Sequence, residues 1–236
     1  GGSRALAVLR LRELLEDTRL YARQGPAFER NALRPLSAGR LELAAMVDVT
    51  TKKLPLVVEV RRAADILRAL ELAKAEGLRM VIRGAQEGWL VAGELAAAGV
   101  PVLLEPLDNI PERMEQINAR PDNAALLAAA GVEVVLTSEQ SHLASTLRFA
   151  AGNAVRAGLP FDVAIRAITL APARALGAAD RYGALEAGRV ANVVVWTGDP
   201  LEPASYAEVV VVRGLRAPVE SRQTRLRARY QRRLGL

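Results

Sequence analysis

Short apolar runs rich in valine and leucine alternate with longer amphipathic segments through the middle of the chain. Four of these runs predict buried strands, at residues 54–60, 79–82, 100–104 and 132–136. The segments between them predict helices, at residues 63–75, 86–98 and 123–130, and each is followed by a glycine that suits a helix end. This alternation is typical of βα units on a parallel sheet, so the pattern predicts an α/β fold.

The flanking segments predict elements of other kinds. An amphipathic helix is expected over 3–24, with Ser3 as its N-cap and Gly25-Pro26 as its end, and a second helix is expected near Ser37. Later elements are helices at 143–157 and 161–176, strands at 192–196 and 208–213, and an arginine-rich helix at 220–236. We therefore expect three parts, at residues 1–180, 181–218 and 219–236.

The amino-acid composition excludes several kinds of chemistry, whereas for the fold it indicates only a globular chain. Of 236 residues, 51% are hydrophobic and 25% are charged, which is typical of a globular chain with a sizeable core. The chain has no cysteine, which excludes disulfides, thiolate metal ligands and a cysteine nucleophile, and its one histidine is His142. No apolar stretch is long enough to span a bilayer. A cytoplasmic protein is the default expectation, and a periplasmic one requires that a signal-bearing N-terminal part was removed.

A long motif lies in the segment 152–199. A helix with the pattern Thr-x-Asn-Pro-Ala is matched at Thr169, Pro172 and Ala173, with Ala171 in the place of Asn. The turn Gly-x-Leu-x-x-Gly-x-x-Ala-Asp is matched at Gly183, Leu185, Gly188 and Ala191, with Asn192 in the place of Asp. Together with RRAADILRALELA and ELAAAGVPVLLEPLDNIP, this segment resembles the amidohydrolase superfamily, specifically its imidazolonepropionase-like branch.

The resemblance implies a (β/α)₈ barrel that carries a small β-sandwich, with catalytic residues at the carboxyl ends of the strands. The chain has about four βα units, so we expect the C-terminal part of a TIM-like barrel, about strands five to eight, with part of the sandwich and a C-terminal helix. A half-barrel leaves two sheet edges unpaired. We therefore expect an oligomer in which another polypeptide supplies the missing half, either the N-terminal fragment of the same precursor or a paralogous subunit.

The resemblance also implies where metal ligands belong, and other residues stand in those places. The pattern His-x-His-Arg-Ala of strand five corresponds to Glu59 and Arg61, followed by Arg62 and Ala63. The strand-six region has no histidine between residues 79 and 89. An arginine in a ligand's place repels a cation and occupies its space.

The strand-eight aspartate of the family binds metal and takes the proton from the attacking water, and it aligns with Glu139, three residues before His142. One interpretation joins Glu139 and His142 to Glu59 in a reduced, carboxylate-rich metal site. The other, which the arginines favour, treats these residues as relics of a lost site. The candidate catalytic residues are Glu139 and His142, and the candidate binding residues are Arg61, Arg83, Glu59 and Trp89.

The arginines of this region are themselves open to two interpretations. Arg61, Arg62 and Arg83 suit a pocket for a carboxylate or phosphate. Alternatively, they pair with Glu59, Glu87 and Glu105 in an internal charge network that replaces the metal. In that case we expect the paired charges to be buried, so the substitution Arg61→His should cost ~3–5 kcal/mol and should not restore metal binding.

Function is expected to follow from these residues. We favour a catalytically degenerate, metal-poor chain that acts as a structural or regulatory subunit or a processed fragment of a larger assembly, and that binds no cofactor alone. The alternative is an active hydrolase of amide or cyclic amide C–N bonds, with zinc or another divalent metal, once an N-terminal half carrying a His-x-His pair completes the site. A remote third is nucleic-acid binding through the tail. We expect instead that Leu226, Tyr230 and Leu234 pack on the body with the arginines solvated, and that nucleic acid is not a partner.

Overall fold

Four short strands form a parallel sheet in the order β1-β2-β3-β4 in the computed structural model. The model describes residues 3–30, 32, 34–107, 111, 114–138, 141–218, 220 and 222–235. The strands are β1 Leu56–Val60, β2 Met80–Gly84, β3 Val102–Leu104 and β4 Val134–Leu136. The four predicted apolar runs are therefore confirmed as strands of one parallel sheet, in chain order, as successive βα units require.

Helices precede, link and follow these strands. They are α1 Arg4–Glu29, α2 Arg40–Thr50, α3 Ala63–Glu76, α4 Ala92–Ala98, α5 Asn123–Ala129, α6 Leu147–Arg156, α7 Phe161–Ile168 and α8 Leu170–Ala175. Short 3₁₀ turns lie at Gly88–Val91, Met114–Gln116 and Ser141–Thr146. The predicted end of α3 is confirmed, because Gly77 adopts the left-handed conformation (φ 63°) that closes a helix cheaply only with glycine.

The main core lies between the sheet and the helices α3 to α7. Alternate residues of β1, Leu56, Val58 and Val60, pack into this core. Its fully buried members include Ile66, Ile82 and Leu127. Because side chains alternate along a strand, Val57 and Glu59 lie on the opposite, inner face of the sheet.

The inner face is covered at its amino end by α8. A small buried cluster joins Val81, Leu103, Val135, Ala171 and Ala175. Arg79, just before β2, donates hydrogen bonds to the carbonyls of Arg174 (2.8 Å) and Ala175 (2.9 Å) and so holds the end of α8. The face is open at the edge strand β1, where Val57 is 45% exposed, and toward the carboxyl end, where the side chains of Glu59 and Arg83 are each 44% exposed.

Two helix boundaries differ from those expected. The first helix does not stop at Gly25-Pro26: it bends at Gln24 (φ −129°, ψ 30°) and continues to Glu29. Pro26 lies in the first turn after the bend, where its missing N–H costs nothing. The single helix expected over 161–176 is broken at Thr169 (φ −127°, ψ −82°) into α7 and α8.

A buried carboxylate fixes the segment between α1 and α2. The Asp17 side chain is 0% exposed and accepts hydrogen bonds from Arg34 Nη2 (2.6 Å) and the backbone N–H of Ser37 (2.7 Å). Burial opposes the charge of Asp17, but these hydrogen bonds outweigh it and hold the pKa of the carboxyl below its ordinary value. The charged form of Asp17 is therefore part of the folded structure.

The C-terminal part is a three-stranded antiparallel sheet followed by a helix. Its strands are β5 Val193–Trp196, β6 Ala207–Val212 and β7 Leu215–Ala217, and the helix is α9 Arg222–Leu234. The turn between β5 and β6 docks on α6, where Arg148 donates to the carbonyls of Pro200 and Glu202. No helix in the described ranges is both long and apolar enough to cross a membrane.

Candidate functional site

The candidate site lies where β1 and β2 end. Glu59 and Arg83 are partners in the parallel register of these strands, and both lie on the inner face of the sheet. Arg61 follows β1 directly. The carboxyl ends of parallel strands meet at one edge of a sheet, which is where α/β barrels place their chemistry.

One carboxylate there is shared by two arginines. Glu59 Oε1 accepts a hydrogen bond from Arg61 Nη2 at 2.6 Å, and Glu59 Oε2 lies 3.7 Å from Arg83 Nη1. The side chains are 44%, 29% and 44% exposed for Glu59, Arg61 and Arg83. The cluster carries a net positive charge, which disfavours a metal cation. In addition, the buried Nε of Arg61 has no hydrogen-bond partner, so this guanidinium is only partly satisfied.

Glu87 does not join this cluster. It is 5% exposed, and it accepts hydrogen bonds from the backbone N–H of Ala63 (2.9 Å) and from Asn118 Nδ2 (2.8 Å). The Ala63 N–H belongs to the first turn of α3, where helices leave backbone donors unpaired. The expected arginine pairing of Glu87 is therefore wrong: its carboxylate caps α3 and ties the loop before α5 to it.

Trp89 also holds this loop in place. Its indole Nε1 donates to the carbonyl of Asn118 (3.1 Å), and its backbone N–H donates to Asn123 Oδ1 (3.1 Å). The guanidinium of Arg120 lies 4.8 Å from the ring centroid, a cation–π contact. Arg120 in turn pairs with Asp122 and lowers the pKa of that carboxyl. The polar atoms of Trp89 are thus engaged by protein groups in this structure.

Sequence reasoning missed Asn118, Arg120 and Asn123. Asn123 Nδ2 donates to the carbonyl of Ala85, just past β2, at 2.9 Å. Arg120 and Asn123 line a shallow cleft at the carboxyl ends of β2 and β3, together with Gly84, Gln86, Leu104 and Glu105. The sequence signal for these residues was weak, because polar residues in the loop before α5 resemble those of an ordinary turn.

Of the two strand-eight candidates, His142 is described, and no described hydrogen bond or ion pair joins it to this cluster. His142 is exposed on the 3₁₀ turn Ser141–Thr146 after β4 and makes no hydrogen bond or ion pair with another described residue. Glu139 lies outside the described residues. Within the described ranges, no three His, Cys, Asp or Glu side chains are grouped so that they can hold a metal ion. The donor set present, one carboxylate facing two guanidiniums, does not fit a metal centre.

Comparisons with known proteins place this chain in a family. A sequence model of the Amidohydrolase family matches residues 49–219. Amidohydrolase tasK of Hapsidospora irregularis is 32% identical over 102 residues, which are 43% of this chain and 10% of that protein. The crystal structure of an amidohydrolase from Thermotoga maritima MSB8 matches with a TM-score of 0.79 and 25% identity, over 92% of this chain and 56% of that chain.

A more distant match supports the fold alone. A prolidase crystallised with N-methylphosphonate-L-proline has a TM-score of 0.54 and 20% identity, over 79% of this chain and 51% of that chain. The chain therefore spans about half the length of these solved structures. Its parallel sheet and surrounding helices are similar to those of amidohydrolase barrels.

Proposed function

Because the chain belongs to the amidohydrolase family, we propose that it is a catalytically degenerate half of an amidohydrolase domain and acts as a structural or regulatory subunit. One observation carries the proposal: Arg61 and Arg83 converge on Glu59 at the strand ends where the resemblance implies metal ligands. The motif of residues 152–199 supports placing the chain in the imidazolonepropionase-like branch.

The charge arrangement argues against hydrolysis by this chain alone. Hydrolases of this kind use a metal to lower the pKa of a bound water and a carboxylate to take its proton. Here the arginines neutralise the carboxylate of Glu59, and a guanidinium is not a metal ligand. A cation that entered would have to displace two arginines from Glu59: Arg61, which is hydrogen-bonded to the carboxylate, and Arg83, which forms an ion pair with it.

The proposed partner is a polypeptide that supplies barrel strands one to four. The order β1-β2-β3-β4 leaves β1 and β4 at the edges of the sheet, and edge strands present backbone groups ready to pair. The exposed inner-face side chains of Val57, Glu59 and Arg83 would be covered by that half. The coverage of 56% of the Thermotoga maritima chain supports the same proposal.

Metal content tests the proposal directly. The 236-residue chain and its Glu59→Gln variant are loaded with zinc, dialysed and analysed by mass spectrometry for bound metal. We expect well under one equivalent of zinc in both. One equivalent of bound zinc in the parent that is lost in Glu59→Gln would overturn the proposal that the chain is catalytically degenerate and would favour the active hydrolase. Hydrolysis of N-acyl amino acids and proline dipeptides, measured on the same samples, then defines the C–N bond attacked.

Assembly is tested separately by native mass spectrometry. The chain is measured alone and after co-expression with the corresponding N-terminal half of an amidohydrolase barrel. We expect self-association of the chain alone and a defined complex in the mixture. A stable, monodisperse monomer of 25.3 kDa in both samples would overturn the partner proposal.

A further inference from the structure

The net charge of this chain is concentrated in one helix. The sequence has 32 basic and 26 acidic residues, a formal charge of +6. Six of the basic residues lie in α9, which contains no acidic residue, so 26 basic residues remain to balance the 26 acidic ones elsewhere. The rest of the chain is therefore electroneutral, and α9 is a polycation attached to it. The arginines are Arg222, Arg225, Arg227, Arg229, Arg232 and Arg233.

The same helix carries an apolar stripe. Leu226, Tyr230 and Leu234 are spaced by four residues and so follow one face of the helix. Three arginines lie beside this stripe on one flank and Arg227 lies on its other flank, whereas Arg225 and Arg232 lie on the opposite side of the helix. The helix is therefore amphipathic, with cations beside an apolar seam.

The expected packing of this stripe on the body is not found. Leu226 is 37% exposed, Tyr230 54% and Leu234 71%, and no residue of α9 is buried. In the described part of the structure, no carboxylate pairs with any of the α9 arginines. Both the charge and the apolar stripe of α9 are thus available to a partner.

We propose that α9 docks the protein on an anionic lipid surface. A bilayer interface accepts leucine side chains among the acyl chains while flanking arginines reach the phosphates, so it satisfies both features at once. Tyrosine in the middle of the stripe suits the same interface, with its ring buried and its hydroxyl hydrated. A nucleic acid would neutralise the arginines but leave both leucines in water. This inference is independent of the candidate site.

Vesicle sedimentation tests the proposal. The chain is mixed with vesicles of pure phosphatidylcholine and with vesicles containing equal parts of phosphatidylcholine and phosphatidylglycerol. We expect binding to the anionic vesicles only, weakened by salt. Neutralising three arginines (Arg225→Gln, Arg229→Gln and Arg232→Gln) should weaken that binding by about 100-fold. The double variant Leu226→Asn and Leu234→Asn should weaken it at unchanged charge.

A matched control removes the same charge from the body. Arg4, Arg68 and Arg166 are exposed and lie outside α9. The triple variant Arg4→Gln, Arg68→Gln and Arg166→Gln should bind anionic vesicles like the parent. Thermal melts should be similar for both α9 variants and the parent, because the changed side chains in α9 are exposed.

Four results would overturn the proposal. They are absence of binding to anionic vesicles, equal binding to neutral vesicles, equal weakening by the control triple variant, and vesicle binding that survives the leucine substitutions. A single-stranded RNA oligomer serves as the competing probe. Tighter binding to RNA than to vesicles, unaffected by the leucine substitutions, would assign α9 to nucleic acid instead.

Discussion

Replacing Arg61 by histidine tests whether the carboxyl ends of the strands still form a metal site. The substitution places an imidazole where the pattern His-x-His-Arg-Ala has its second histidine, and it leaves Glu59 nearby. If the site were a metal centre missing one ligand, zinc should bind Glu59 and the new histidine. If the arginine cluster has replaced the metal, the histidine should gain nothing from zinc.

The structure sets the cost of this substitution. An expectation of ~3–5 kcal/mol holds for a buried pair. The Arg61 side chain is 29% exposed and Glu59 is 44% exposed, so their contact is that of a surface pair, worth ~0–1 kcal/mol. Arg83 stays near the carboxylate at 3.7 Å and limits the loss further. For a chain of this size 1 kcal/mol corresponds to about 2–4 °C in Tm, so Arg61→His should melt at most a few degrees below the parent.

Thermal melts with and without zinc separate the two outcomes. A ligand at 100 times its Kd stabilises a folded protein by about 2.7 kcal/mol, which exceeds the cost of the substitution. The control is Arg68→His, which removes an exposed arginine that pairs with Glu71 at 2.8 Å on α3. We expect no zinc-dependent rise in either variant. A rise of ~5 °C or more in Arg61→His alone would refute the reasoning.

Three further predictions concern stability, each measured by denaturant unfolding. Asp17→Asn should cost about 2 kcal/mol at neutral pH. Because the folded pKa of Asp17 is lowered, its contribution is full above the ordinary carboxyl pKa and is lost as the pH falls through the folded value, so parent and variant should converge in acid; a gap that persists there contradicts this. Gly183→Ala should cost more than Gly188→Ala: both have positive φ, but only at 183 would the new Cβ lie 2.8 Å from Thr169 O, whereas at 188 nothing lies within 4 Å. Glu87→Gln should cost ~1–3 kcal/mol, because the amide offers one acceptor where the carboxylate serves two donors.

The local pattern of apolar residues and glycines was sufficient to predict the parallel sheet and the helices that link its strands. Each strand of the parallel sheet contains a short run of β-branched or leucine residues, and a glycine such as Gly77 closes the helix before the next strand. The break at Thr169 was missed although Pro172 gives a local cause for it: in a continuous helix proline has no N–H to donate to the carbonyl of Ile168, and its ring clashes with that carbonyl. Gly183 lies against the backbone of Thr169 and Leu170, and that contact is invisible in the helical periodicity of residues 161–176.

The charged residues of the candidate site could be predicted from the sequence, but the hydrogen bonds between residues distant in the chain could not. Arg61 and Glu59 are two residues apart, so their pairing follows from the chain itself. Glu87 and Asn118 are 31 positions apart in the sequence, and the chain between them forms α4 and β3. Nothing in the sequence near Glu87 distinguishes a carboxylate that caps α3 from one that pairs with an arginine. The position of Glu139 relative to Glu59 stays a prediction, because Glu139 lies outside the described residues.

The residues that carry the family resemblance and those that carry the candidate chemistry lie at opposite ends of the strands. The Thr169 and Gly183 motifs shape the break before α8, which packs Ala171 and Ala175 against the inner face and meets Arg79 at the amino end of β2. Glu59 and Arg83 lie nearer the carboxyl ends, and none of the described hydrogen bonds or ion pairs joins them to α8. Barrel folds generally separate stability and chemistry in this way. If arginines have replaced metal ligands at one end, as proposed, the packing at the other end would stay intact, and the chain could keep an amidohydrolase fold without binding a metal.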